Sequence, residues 1–154
     1  MSKKPTATDA ELILKLYDLR REAEMRKARN WWVVTFWPTS VDDFTKIATD
    51  LGSQENNWLR QVTGYWSLAA SLALAGTVSE DLFLEPSFSG EMFLIFSKVR
   101  PFLKELRAKM KNPHIFANVE KLITGTKRGR EFLTVMEAQL AARREAMAKV
   151  AKAS

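Results

Sequence analysis

The sequence predicts an all-α protein, a single-domain helical bundle of about six helices around a central apolar helix at residues 58–76. Three observations carry this reading. The stretch Gln61 to Ser79 contains no charged residue and is bracketed by Arg60 and by Glu80-Asp81. On both sides of it, apolar residues recur at spacings of three and four, the period of helices that bury one face. Ser, Thr or Asp residues with helix-start chemistry precede those stretches, and Gly or Pro residues follow them. A length of 154 residues suits one domain, and 46% hydrophobic residues with five Trp and nine Phe is far from a disordered composition.

The uncharged stretch QVTGYWSLAASLALAGTVS would form a helix of about 28 Å, which matches a small domain as well as the hydrocarbon layer of a bilayer. Gln61, Thr63, Ser67 and Ser71 are tolerable inside a bundle, and the flanking amphipathic segments need an apolar partner, so a protein core is expected and a membrane span is the competing reading. Ala69, Ala70, Ala73 and Ala75 would let neighbouring helices approach closely.

In chain order, residues 1–7 read as a flexible leader and residues 8–152 as the domain, with 141–154 a projecting or frayed helix end. Thr8 with Glu11 has capping-box spacing and opens a helix whose buried stripe is Leu12, Ile13, Leu16, Leu19 and Ala23, ending or projecting by Asn30. The aromatic run WWVVTFW at 31–37 stops at Pro38. Val33, Val34 and Thr35 would suit extended backbone, but a lone strand has no partner elsewhere, so helix is expected, stacking Trp32 on Phe36 and Val33 on Trp37. Adjacent helical residues point about 100° apart, so Trp31, Trp32, Phe36 and Trp37 should leave at least one large aromatic at the surface. These four are the interface candidates, with a wedge of core packing as the alternative.

Ser40 with Asp43 starts a short helix carrying Val41, Phe44, Ile47, Ala48 and Leu51, stopped by Gly52. Ser53 caps the central helix, which runs to Gly76. Ser79-Glu80-Asp81 opens one or two helical turns, and Pro86 to Gly90 reads as a turn. From Glu91 the stripe Phe96, Val99, Leu103, Leu106 and Met110 is helical, kinked or restarted at Pro101. Asn112-Pro113 caps a helix with Ile115, Phe116, Val119, Leu122 and Ile123, which should stop at Gly125. A basic connector, GTKRGR at 125–130, then leads to a last helix at 131–152. On that helix Phe132, Met136 and Leu140 share a side, Arg143 interrupts, and Met147 and Val150 resume.

The chain has no cysteine, which excludes disulfides, thiolate nucleophiles and Cys-bound metals. No apolar segment follows Lys3 and Lys4, so a secretory signal is not expected and cytoplasmic residence is the default. His114 is the single histidine, and no Glu-x-x-His, G-x-S-x-G or phosphate-binding glycine pattern occurs. Asp42-Asp43 and Glu80-Asp81 stand where helix N-termini favour negative charge, which accounts for them without catalysis. The chain is therefore expected not to be an enzyme, and no catalytic residue, metal or cofactor is expected.

Charge is distributed unevenly. Residues 1–97 hold 10 Lys/Arg against 13 Asp/Glu, a net −3, whereas residues 98–154 hold 14 against 5, a net +9. Arg100, Lys104, Arg107 and Lys111 are spaced to form one stripe on a helix, and Lys127, Arg128 and Arg130 would extend it from the connector. These seven are the anion-binding candidates. A solvated basic surface is the alternative, and the scarcity of interleaved aromatics argues against base-specific recognition.

The blocks YWSLAASLALAGTVSEDLF (Tyr65 to Phe83), FSKVRPFLKELR (Phe96 to Arg107) and NPHIFANVEKL (Asn112 to Leu122) resemble a class of small helical bacterial proteins described as domains of unknown function. Arg100-Pro101, Leu106-Arg107, Asn112-Pro113 and Glu120 are the distinctive pieces. The resemblance covers about the middle half of the chain and implies an all-helical cytoplasmic domain, with no activity attached. The expected function is a protein-interaction or self-assembly module using aromatic and basic helix surfaces. A phosphate-backbone nucleic-acid binder is the runner-up, and association with a membrane surface is the third reading.

Overall fold

The computed structural model describes residues 3–154, so the first two residues of the expected leader lie outside the described residues. Among the described residues there are nine α-helices, one π-helical turn, one 3-10 turn and no strand. The helices are α1 (Ala7–Leu19), α2 (Ala23–Asn30), α3 (Val41–Ala48), α4 (Gln54–Leu74), α5 (Glu80–Phe83), α6 (Pro86–Val99), α7 (Leu103–Met110), α8 (Ala117–Gly125) and α9 (Lys127–Ala153). The π turn is Trp31–Thr35 and the 3-10 turn is Arg100–Phe102. The count exceeds six because segments that read as continuous are broken by caps. No helix among the described residues is long and apolar enough to cross a membrane.

The central helix, α4, packs against α2, α3, α5, α8 and the π turn, burying Leu59, Val62, Trp66, Ala69, Ala70 and Ala73. Ser53 caps it by accepting from Asn56 N–H, and the chain leaves it through Gly76 at φ 75°. Beside it α6 is the most enclosed element, with no exposed residue from Phe88 to Val99. The expected turn at Pro86 to Gly90 is instead the start of α6, with Pro86 in the first turn, where its missing N–H costs nothing.

Other boundaries also differ from the sequence reading. The first cap is Thr6 with Asp9, not Thr8 with Glu11: Asp9 accepts from Thr6 N–H and Oγ1–H, both at 2.7 Å, and reaches across to Ser79 N–H at 2.9 Å. These bonds, the one from the Thr6 hydroxyl first, hold the Asp9 carboxyl below its usual value. The α1 stripe ends at Leu16, with Leu19 and Ala23 exposed, because Glu22 accepts from the N–H groups of Glu24 and Met25 and starts a new helix. The break lets Arg20 turn inward and donate to the Phe88 carbonyl at 2.9 Å. In α3 the Ser40 cap is as expected, but the helix ends at Ala48. Leu51 is therefore exposed, and Gly52, at φ 91°, lies beyond the helix in the turn. Pro101 restarts the helix through the 3-10 turn. Asn112 accepts from His114 N–H in a turn, and α8 begins only after Phe116 at φ 56°. The basic connector does not exist: Thr126 accepts from Gly129 N–H at 2.9 Å and starts α9, placing Lys127, Arg128 and Arg130 in its first turns. Helix α9 packs on α6 and α8 as far as Leu140; beyond it only Arg144 is not exposed, so residues 145–153 project as helix.

Candidate functional site: a cationic corner around Trp37

The aromatic run is not an exposed face. Trp31, Trp32 and Phe36 are all buried, Trp32 completely, and they form an aromatic cluster with Phe44 and Trp58. Two neighbouring tryptophans can both face inward because the backbone widens here into a π turn, in which Phe36 N–H donates to the Trp31 carbonyl at 2.8 Å. The expected Trp32–Phe36 contact forms, edge to face at 5.0 Å, while Trp31 stacks flat on Phe36 at 4.5 Å. Trp31, Trp32 and Phe36 are thus withdrawn as interface residues. Trp37 alone of the four is half-buried.

Most of the proposed basic stripe is also dismantled. Arg100 lies in the 3-10 turn and pairs with Glu137. Arg107 pairs with Glu120 at 2.7 Å and donates to the Ile115 carbonyl at 3.0 Å, and Lys111 sits past the helix at φ 51°. Arg128 donates to the Asp81 carbonyl and pairs with Glu85, Arg130 donates to the Thr124 carbonyl, and Lys127 pairs loosely with Glu131. Lys104 and Lys111 are exposed, but the break at Pro101 and the left-handed residue at 111 prevent a single stripe.

The basic groups that converge are others. The π turn directs the carbonyls of Trp32, Val33 and Phe36 toward α6, where Lys98, itself 1% exposed, donates to them at 2.5, 3.4 and 2.9 Å. Trp37 donates its indole N–H back to the Val34 carbonyl at 3.0 Å and lays its ring over the Lys98 ammonium, 3.8 Å from the centroid. From α9, Arg143 and Arg144 approach the same ring at 5.5 and 5.4 Å, and Arg144 donates to the Pro38 carbonyl at 3.2 Å. Three basic side chains therefore surround one indole, and among the described residues no carboxylate forms an ion pair with any of them. The ring face offsets part of their repulsion. Burial, followed by the charges of Arg143 and Arg144, pushes the Lys98 ammonium down to about 7.

Behind Trp37 a cleft of about 350 Å³ opens between Pro38, the end of α6 and α9, lined by Pro101, Phe102, Leu140 and Ala141 with Ser97, Glu137 and Arg144. Sequence reasoning missed this site. Lys98 lies beside a strongly apolar stripe, and Arg143 reads only as an interruption of one. A lysine flanked by Phe96, Ser97 and Val99, in a helix whose other charged residue is Glu91, was the available signal. The single histidine, His114, is exposed and lines a second groove rather than this cleft, and no three His, Asp or Glu side chains converge among the described residues.

Fold and site define a small all-helical bundle with a cationic corner. The chain belongs to the family described as a domain of unknown function, DUF4760, whose model matches residues 5–126. That match spans the helices up to α8 and leaves out α9, so Lys98 and Trp37 lie inside it while Arg143 and Arg144 lie beyond it. Neither the curated proteins nor the solved structures include a match.

Proposed function

We propose that this chain is a non-enzymatic interaction module that docks an acidic protein segment on the corner formed by Trp37, Arg143, Arg144 and the projecting end of α9. The observation that carries the reading is the gathering of Lys98, Arg143 and Arg144 around one indole without a carboxylate paired to them. Such a corner raises the local positive potential and favours an anionic partner. Beyond it, Met147 and Val150 stand 44% and 71% exposed at i, i+3 on the end of α9, a further apolar strip for a partner to cover. A second copy of the chain qualifies as partner, because residues 1–97 carry the net negative charge.

The test is capture from native lysate, with and without nuclease, by wild type and by the double variant Arg143→Glu, Arg144→Glu, with light scattering in parallel. Nuclease-resistant capture or concentration-dependent self-association, lost in the variant at unchanged melting temperature, is the expected result. Capture abolished by nuclease would favour a nucleic-acid partner instead, and capture unaffected by charge reversal would remove this corner from the interface.

A further inference from the structure

We propose that the cleft behind Trp37 binds a small amphipathic carboxylate, with its apolar body against Pro101, Phe102 and Leu140 and its charged end on Arg144. The inference rests on the cationic reading of this corner but adds a distinct ligand and a distinct cavity. At about 350 Å³ the cleft is in the size range of small-molecule sites, and most of its lining is apolar. Its polar lining is Thr39, Ser97, Lys98, Glu137 and Arg144. Arg144 is half-buried, placed by the Trp37 ring 5.4 Å away and by its bond to the Pro38 carbonyl, which leaves further guanidinium N–H groups to receive a carboxylate. Ser97, 7% exposed, lines the same cleft, and its buried hydroxyl has no hydrogen-bond partner. The one acid at the rim, Glu137, is already engaged by Arg100, so the cleft has no free negative charge to attract a cation. The uncompensated charge beside Arg144 is Arg143, which favours an anion.

Sodium octanoate is the probe, followed by titration calorimetry and by the indole N–H resonances of the five tryptophans in the full chain. Saturable one-to-one binding is expected, with the Trp37 resonance moving most. Acetate, which has the charge without the tail, and 1-octanol, which has the tail without the charge, should each bind at least about tenfold more weakly. Arg144→Gln should weaken octanoate by about tenfold or more, the scale of losing one charge-assisted pair. Ala141→Trp fills the cleft from an exposed helix position and should abolish octanoate binding at an unchanged melting temperature. Binding that does not saturate, 1-octanol binding as well as octanoate, or full affinity in Ala141→Trp would each overturn the proposal. If octanoate fails while capture of an acidic partner still depends on Arg143 and Arg144, the ligand proposal falls and the interaction module stands.

Discussion

Replacing Lys98 by Met keeps a side chain of similar length in α6 and removes the donors that hold the π turn. Three carbonyls lose their partner: those of Trp32 at 2.5 Å, Phe36 at 2.9 Å and Val33 at 3.4 Å. Each of the two close acceptors left bare costs about 1–3 kcal/mol, and relief from burying an ammonium offsets part of this, so a net destabilisation of about 2–4 kcal/mol is expected. Urea denaturation followed by tryptophan fluorescence measures it. The pH dependence supplies an independent check. Folding lowers the Lys98 pKa from its ordinary 10.5 to about 7, so between those values the unfolded chain holds more protons than the folded one. Stability contributed by this site must therefore rise with pH across that window and stay level below it. The gap between wild type and the Met variant should widen from pH 7 toward pH 10. Tyr65, pushed up to about 12 by burial, is common to both proteins and drops out of the gap. An unchanged urea midpoint in Lys98→Met, or a gap that narrows as pH rises from 7, would refute the assignment of Lys98 as the clamp on the π turn.

Three further substitutions test the packing. Ala73→Asp places a carboxylate at a site 6% exposed on the buried face of α4 and should cost several kcal/mol, about the margin of a small domain, so a variant that melts like wild type would remove that face from the core. Two glycines should respond with opposite signs. A Cβ on Gly129 would meet the Ile123 carbonyl and, at 2.6 Å, the Thr126 hydroxyl that caps α9, so Gly129→Ala should lower stability by about 1–3 kcal/mol. Nothing lies within 4 Å of a Cβ on Gly64, so Gly64→Ala inside α4 should raise it by about 0.5–1 kcal/mol. Equal shifts of the two thermal midpoints would show that the close approach at Gly129 is not what fixes α9 on α8.

The helices were legible wherever local chemistry and periodicity agree. Ser40, Ser53 and Ser79 each cap the helix expected of them, and the break at Pro101 follows from the lost N–H. The misreadings occurred where two local signals compete. Thr6 and Thr8 both precede an acid by three residues, and the choice fell to Asp9 because its carboxylate also meets Ser79 N–H, seventy residues away. Pro86 can open a turn or a helix, and burial of Phe88, Met92 and Phe93 chose the helix. The basic stripe failed for a different reason. Spacing reports which residues share a face but not what stands opposite it, and Glu120 and Glu137 stand opposite Arg107 and Arg100. The site itself depends on residues 37, 98, 143 and 144 meeting across three elements, and no local pattern encodes that meeting.

The π turn and the cationic corner follow from one requirement, that two adjacent tryptophans enter the core. A regular helix would set Trp31 and Trp32 about 100° apart and expose one of them; the extra residue in the turn brings both inside. The widened turn leaves the Trp32, Val33 and Phe36 carbonyls without helical partners next to α6, and a lysine supplies three donors from one atom at the end of a flexible stem. A carboxylate in contact with that ammonium would compete with the carbonyls for its protons and loosen the turn. The indole of Trp37, a weak and diffuse partner, accepts the charge without taking a proton from the carbonyls. Its ring then draws Arg143 and Arg144 from α9, so the buried amine that closes the turn is joined by two guanidinium charges nearer the surface. The consequence is testable through the aromatic ring alone. Trp37→Leu keeps apolar bulk but removes the ring face, so Arg143 and Arg144 should become disordered, seen as sharpened guanidinium resonances, while Trp31 and Trp32 stay protected from acrylamide. If Trp31 and Trp32 also became accessible, the ring would be part of the core wedge and not the organiser of the corner.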